Sequence, residues 1–185
     1  MAIKNYEDVT PYPLDPDRQE ELLLSQNEAV FVWGTKDHWP VGVMMSYVWR
    51  DGRFWLTATT QRKRISAIRR DPRVTVIVSG LGTPVGAATS VTAKGRCRLH
   101  DDAETKAWFY PALAEAVLGG PGELTDKFVK MLDSERRVII EVEPEKWITY
   151  DANKLMADSI TTWLAEDEEG DATGSGGEGG ATGES

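Results

Sequence analysis

Six stretches of β-branched and aromatic residues, separated by turn-forming residues, constrain the fold of this 185-residue chain more than any other feature. Val, Ile, Thr and the aromatic residues favour strands, whereas Gly, Pro, Asp and Asn favour turns. Short strands with such connections are typical of a small barrel. The sequence therefore predicts a mainly β fold with peripheral helices, a six-stranded antiparallel barrel with strands at 29–35, 40–49, 53–59, 74–79, 88–99 and 137–150.

Several local signals refine this sheet. Asp51-Gly52 predicts a hairpin turn between the second and third strands, because glycine adopts positive φ without steric cost. The segment Val74–Ser79 is almost continuously apolar, which indicates burial on both faces. Gly95 lies inside the fifth strand and predicts a bulge or a tight bend. The last segment forms either a strand pair or one bent strand.

Helical spacing occurs in two places within the β domain. Ile65 and Ile68 predict a short helix over residues 61–70, which Asp71-Pro72 ends. Between the last two strands the pattern predicts an excursion of two helices, the first broken at a proline. These helices span residues 101–118, with the break at Pro111, and residues 124–133.

Composition divides the chain into an N-terminal arm with a short helix, the β domain, a C-terminal helix and a tail, at residues 1–26, 27–151, 152–167 and 168–185. The first helix is predicted to start at Asp15-Pro16-Asp17, and its leucines at 22–24 are expected to pack on the body. The tail contains no large apolar side chain, so it cannot offset the entropy of ordering and is predicted to be disordered.

The formal charge of −9 says little about partners, because seven acids and no Lys or Arg follow from Glu166 onward. Without those seven acids the charge is −2, and only residues 62–73 are locally basic. Duplex nucleic acid would require a basic face, so no nucleic-acid partner is expected. No apolar run approaches the roughly 20 residues of a membrane span, and the single cysteine, Cys97, suits a reducing compartment. We expect a cytoplasmic protein without a membrane partner.

The most informative segment is the junction between the third strand and the short helix, Thr57 to Lys63. Thr59 or Thr60 can cap the helix, and Arg62 and Lys63 then lie in its first turn. Cations at this end oppose the helix dipole at about 0.3–1 kcal/mol each, whereas a bound phosphate would reverse that effect. The alternative, that both side chains are solvated helix charges, is equally compatible with the spacing.

These residues resemble the split-β-barrel superfamily of pyridoxamine-phosphate-oxidase-like and flavin- or deazaflavin-dependent oxidoreductases. The resemblance covers residues 41–78 and consists of a strand, the Asp51-Gly52 turn, a strand containing Thr57, the Arg62-Lys63 pair and the sequence DPRV. It implies a split barrel that binds FMN or the deazaflavin coenzyme F420 and transfers hydride to a small organic substrate.

The resemblance also implies roles for individual residues. Thr57, Arg62 and Lys63, with Thr59 beside them, would hold the cofactor phosphate. The strand before the hairpin would lay its backbone along the flavin ring, which involves Val43, Met44, Met45 and Ser46. The family is usually homodimeric with sites at the subunit interface, so a homodimer is expected and residues near Trp147 would reach the partner's site.

Departures from the family pattern concern the substrate. Ser90 stands where pyridoxamine phosphate oxidases have a Gln, Val41 stands where they have an Arg, and their basic C-terminal substrate motif is absent. A substrate other than pyridoxamine phosphate is therefore expected. No catalytic side chain is identified, and no metal site is expected from two distant histidines. The alternatives are a non-catalytic cofactor-binding protein and a haem-handling barrel that uses His38.

Overall fold

The structure, a computed structural model, describes residues 8–161. The helices are α1 Pro16–Ser25, α2 Lys63–Arg70, α3 Ala103–Leu118, α4 Glu123–Leu132 and α5 at residues 152–161. The strands are β1 Glu28–Gly34, β2 Pro40–Ser46, β3 Val48–Arg50, β4 Arg53–Thr59, β5 Arg73–Ser79, β6 Thr89–His100 and β7 Arg137–Asp151. The fold is mainly β with peripheral helices, as predicted.

One antiparallel sheet contains seven strands in the order β2-β1-β5-β6-β7-β4-β3. The strands at its two edges, β2 and β3, are separated in sequence by Tyr47 alone, so the sheet curls into a half-barrel. The predicted count of six strands was wrong because the segment 40–49 is two strands. Tyr47 is buried and its hydroxyl donates to the Leu23 carbonyl at 3.0 Å, and the chain changes pairing partner there, from β1 to β4.

Two local predictions about the sheet are confirmed. Asp51 and Gly52 join β3 to β4 and both have positive φ, 54° and 72°, as a tight hairpin turn requires. The long strands β6 and β7 shift register between Lys94 and Gly95, which is the predicted bulge. A Cβ atom on Gly95 would lie 2.3 Å from the Glu143 carbonyl oxygen, so only glycine fits there. The last segment, β7, is one bent strand rather than a strand pair.

The barrel core consists of alternate residues of each strand. In β5, Val74, Val76 and Val78 are buried, whereas Ile77 points outward and is partly exposed. Burial of this strand on both faces, as the sequence indicated, is therefore not found within one chain. Helix α1 starts as predicted and buries the first two of its three leucines, but Leu24 is 64% exposed because it lies on the outer side of the helix.

Helices α3 and α4 cover the outer face of β4 and β7 and form a second, smaller apolar cluster around Phe109, Leu113 and Ile139. Asp102 caps α3 by accepting from the Thr105 amide at 2.8 Å. A proline at position 111 lies inside a continuous helix, so the predicted break is not observed. These helices position one wall of the site described below.

The C-terminal end of the sheet is anchored to α1. Asp151 is fully buried and forms an ion pair with Arg18, whose second terminal nitrogen donates to the Val85 carbonyl at 2.8 Å. Helix α5 covers the described part of the predicted 152–167 helix, whereas the predicted tail, residues 168–185, lies outside the described residues. Within residues 8–161, no helix is long and apolar enough to cross a membrane.

Candidate functional site

The junction between β4 and α2 was the predicted centre of the site. Helix α2 begins at Lys63, with Arg62 as its N-cap and no side-chain capping hydrogen bond. Neither Thr59 nor Thr60 caps the helix, contrary to the sequence expectation. The backbone explains this, because the Thr59 carbonyl accepts from the Arg62 amide at 3.0 Å and the Thr60 amide donates to the Arg136 carbonyl at 2.7 Å. The entry to the helix is therefore a tight backbone turn.

The predicted cation pair, Arg62 and Lys63, does not line the cavity that contains Thr57. Arg62 and Lys63 are exposed, and Lys63 lines a separate cavity of about 320 Å³ together with Trp33, Lys36 and other residues. The structure thus leaves Arg62 at the surface and places Lys63 on the side of α2 that faces the end of β1.

A different cation, Arg64, reaches the cavity that contains Thr57. This cavity, of about 230 Å³, joins the end of β2, the middle of β4 and the start of β7 under the helices α3 and α4. Its lining consists of Met45, Ser46, Thr57, Arg64 and Arg137, with an apolar wall of Leu113, Val117, Phe128, Met131 and Leu132. We call it the arginine pocket.

The arginine pocket has an unusual balance of charge. The Nε atoms of Arg64 and Arg137 are buried and have no hydrogen-bond partner, and neither guanidinium forms an ion pair within residues 8–161. Burial lowers the pKa of Arg64, and the neighbouring charge of Arg62 lowers it further. An unpaired, partly buried cation is unfavourable unless an anion joins it.

Thr57 supplies a polar group to the pocket. Its hydroxyl donates to the Val138 carbonyl at 2.8 Å, and the residue pairs with Ile139 across the ladder between β4 and β7. In the same ladder Thr59 pairs with Arg137, which fixes the position of the arginine relative to Thr57. A phosphate fits this donor set, because guanidinium groups bind its oxygens in bidentate geometry.

The predicted ring-binding strand, β2, lies at the edge of the sheet and pairs with β1 alone. Met45 is buried and Ser46 partly buried, and both line the arginine pocket. Val43 is partly buried against the barrel core, whereas Met44 is 59% exposed on the outer face. The free edge of β2 presents backbone N–H and C=O groups beside the pocket.

Two predicted residues lie elsewhere in the single chain. Thr57 on β4 and His100 on β6 both pair with Ile139 of β7, so these two residues lie at the same level of the sheet. Ser90 lies ten positions before His100 along β6. At about 3.3 Å per residue, Ser90 lies up to roughly 33 Å along the strand from the level of Thr57. Trp147 packs inward, with its ring centroid 6.0 Å from that of Trp49.

The haem alternative depends on His38. This residue has a left-handed backbone, with φ of 65°, and lines a cavity of about 400 Å³ that also contains Trp33, Arg73 and Lys94. No group of three or more His, Cys, Asp or Glu side chains suited to a metal ion occurs in the described part of the chain. Cys97 is buried, and burial raises the pKa of its thiol to about 11, so it is not an activated nucleophile.

Sequence reasoning missed Arg64, Arg137 and the apolar wall. For Arg64 a signal existed, because it lies four residues before the buried Ile68 and therefore on the inward side of α2. Three consecutive cations at the start of a helix point in different directions, and the apolar spacing identifies the inward one. For Arg137 no such signal exists, because its place beside β4 depends on a long-range strand pairing.

Comparisons with known proteins agree with this architecture. The model of the family described as pyridoxamine 5'-phosphate oxidase matches residues 16–151. No curated protein matches the sequence. A conserved hypothetical protein of Mycobacterium tuberculosis, Rv2991, has a similar structure, with 18% identity, 79% of this chain and 90% of that chain covered, and a TM-score of 0.69.

Two further solved structures indicate the range of proteins that share the fold. An F420 reductase is 23% identical, the match covers 70% of this chain and 94% of that chain, and the TM-score is 0.55. The haem storage protein HutZ of Vibrio cholerae is 12% identical, with 75% and 95% of the two chains covered and a TM-score of 0.58. At these identities the likeness concerns the fold alone.

Proposed function

The chain belongs to the pyridoxamine 5'-phosphate oxidase family, and on this premise we propose that it is an oxidoreductase that binds FMN or coenzyme F420. The observation that supports this proposal most directly is that Arg64 and Arg137, which line one cavity with Thr57, each bury an Nε atom that has no hydrogen-bond partner within residues 8–161. When bound, such a cofactor supplies hydride or electron transfer to a small organic substrate, while the protein provides position and electrostatics.

The arginine pocket would hold the cofactor phosphate. A phosphate there would accept hydrogen bonds from Arg64 and Arg137, and the Thr57 hydroxyl could turn from Val138 to join them. Because the buried Nε atoms lack partners in the described part of the chain, the anion would replace an unfavourable arrangement with charge-assisted hydrogen bonds. The surface cations predicted from the sequence, Arg62 and Lys63, would act at longer range.

The free edge of β2 would receive the flat ring. Backbone groups of Val43 and Met44 belong to this edge, and Met45 and Ser46 connect it to the arginine pocket. An edge of this kind binds a flat heterocycle through N–H and C=O groups and needs no ionisable side chain. The arrangement therefore positions a ring without requiring an acid or a base from the protein.

We further propose a homodimer. Outward-facing residues of five neighbouring strands line up across the sheet: Met44, Val30, Ile77, Thr92 and Ile148. Four of the five are apolar, and Met44 and Ile148 are 59% and 51% exposed. A second copy that covers this row would bury the outer face of β5, which the sequence predicted to be buried.

Light scattering tests the homodimer. It should give the mass of two chains for the natural sequence and the mass of one chain for Met44→Lys.

The departures at Val41 and Ser90 favour a substrate other than pyridoxamine phosphate, because an apolar valine replaces the charged Arg of the oxidases and a shorter serine replaces their Gln. The substrate would be a small organic acceptor, and the buried thiol suits a cytoplasmic location.

A haem-handling function is the second candidate, because His38 lines the 400 Å³ cavity. Addition of haem would then produce a Soret band that His38→Ala removes.

Titration of the purified protein with FMN and with F420, followed by fluorescence, tests the cofactor assignment. We expect tight binding of one of the two, which names the cofactor. Binding of neither would contradict the proposal. Mixing the reduced cofactor complex with candidate acceptors then separates an enzyme, which oxidises the cofactor, from a non-catalytic carrier, which does not.

A further inference from the structure

Another cavity lies between α3 and α4, apart from the three cavities described above. It measures about 390 Å³, and its lining includes Asp101, Lys106, Tyr110, Pro111, Val129 and Asp133. We call it the interhelical cleft. Neither the family resemblance nor the cofactor proposal uses these residues, so the cleft needs its own explanation.

Helix α3 departs from ordinary helix chemistry in this cleft. Pro111 has no N–H and lies well inside a 16-residue helix, where proline is strongly unfavourable. Its missing donor leaves the Ala107 carbonyl, four residues earlier, without its ordinary helical partner. Ala107 and Pro111 both line the cleft. The wall of the cleft therefore includes a residue whose backbone carbonyl lacks the usual helical donor four positions later.

Tyr110 supplies a second unsatisfied polar group. The residue is 2% exposed, and its buried hydroxyl has no hydrogen-bond partner within residues 8–161. Burial raises the pKa of this phenol, while Arg137 lowers it and Asp133 raises it, so both charges act on the hydroxyl. The phenol therefore stays protonated at neutral pH and is able to donate or accept a hydrogen bond.

The charged groups around the cleft favour a cation. Asp101 and Asp133 stand against Lys106, and none of the three side chains forms a hydrogen bond or ion pair within the described range. Among the residues that line the cleft, two carboxylates and the Ala107 carbonyl thus outnumber one ammonium group. Arg137, whose charge also acts on the Tyr110 hydroxyl, lines the arginine pocket and not the cleft. The remaining lining, formed by alanine, proline and valine side chains, is apolar.

We propose that the interhelical cleft binds a small primary amine with an apolar body. Its ammonium group would lie near Asp133 and Asp101, where the Tyr110 hydroxyl could accept a hydrogen bond, and its apolar part would pack on Pro111 and Val129. The proposal does not rest on the cofactor assignment, because no residue that lines the cleft also lines the arginine pocket. Arg137 links the two sites, since its charge acts on the Tyr110 hydroxyl, so the amine titration is made without cofactor.

The full-length protein can be titrated with phenethylamine and with 3-phenylpropionate, a matched anion of similar size, up to about 10 mM, the range of weak fragment binding. Two-dimensional ¹H–¹⁵N NMR locates the response. We expect saturable shifts for the amine at residues 103–111 and 129–133, and binding of the anion at least about tenfold weaker. Absence of binding, equal binding of the two, or shifts located elsewhere would overturn the proposal.

Charge variants on and near α4 sharpen the result. Asp133→Asn should weaken phenethylamine binding about fivefold or more, because it removes a carboxylate that acts on the phenol. Asp126→Asn removes the same charge from an exposed position outside the cleft lining and should leave the affinity unchanged. Equal losses in both variants would mean that net charge alone attracts the amine, and the cleft assignment would be wrong. Circular dichroism checks that both variants fold.

Discussion

The barrel interior and the layer formed by α2, α3 and α4 differ in how they treat buried polar groups. In the barrel the Tyr47 hydroxyl donates to the Leu23 carbonyl at 3.0 Å. In the helical layer and at the start of β7, Tyr110, Arg64 and Arg137 bury polar atoms without partners in the described part of the chain, and a proline lies inside a helix. The Tyr47 hydroxyl in the barrel interior is thus satisfied within the fold, whereas the helical layer and the start of β7 beneath it retain groups that a ligand could satisfy.

The largest expected effect separates the two apolar clusters. Phe31 is fully buried in the barrel core, whereas Phe128 is only partly buried in the wall of the arginine pocket. Phe31→Ala should lower the free energy of unfolding by about 3–5 kcal/mol, as for other buried phenylalanines. Phe128→Ala should lower it by clearly less, because less apolar surface is lost. Urea unfolding measures both, and equal losses would end the distinction between the two regions.

A pair of tyrosines tests the polar side of the comparison. Tyr47→Phe removes a buried hydrogen bond and leaves the Leu23 carbonyl without this donor, which should lower the free energy of unfolding by about 1–2 kcal/mol. Tyr110→Phe removes a hydroxyl that has no partner within residues 8–161 and should change it by less than about 0.5 kcal/mol. The same denaturation measurement applies. A large loss for Tyr110→Phe would show that its hydroxyl is already satisfied.

The smallest effect is expected at the surface of α2. Replacing Arg62 and Lys63 by Ala should weaken cofactor binding about threefold or less, because exposed charges act through solvent. Fluorescence titration at low and high salt measures this, and the small effect should disappear at high salt. A salt-resistant loss of tenfold or more would restore these two residues as direct phosphate ligands, as the sequence alone suggested.

Much of the fold could be predicted, because its determinants are local. The Asp51-Gly52 turn, the Asp15-Pro16 helix start and the bulge at Gly95 each depend on the conformational preferences of one or two residues. The break of the second strand at Tyr47 could not be predicted, because it depends on a tertiary contact with α1. The strand count was therefore one too low.

The candidate site was predictable only in part. Thr57, Met45 and Ser46 were named from a recognisable strand–turn–strand unit, and the structure brings all three to one cavity. The cations that were predicted to bind the phosphate did not include Arg64, although its four-residue spacing from the buried Ile68 indicates that it faces inward. Arg137 comes from a distant strand, and no local pattern reveals a long-range pairing.

The most direct test compares Arg64→Ala with Arg69→Ala in the same helix, where Arg69 is exposed and forms no ion pair within residues 8–161. Affinity for whichever cofactor binds is measured together with the free energy of unfolding. We predict that Arg64→Ala weakens binding about tenfold or more, the effect of one lost charge-assisted contact, without lowering stability. Arg69→Ala should change neither quantity. Unchanged affinity in Arg64→Ala would contradict the assignment of the arginine pocket as the phosphate site.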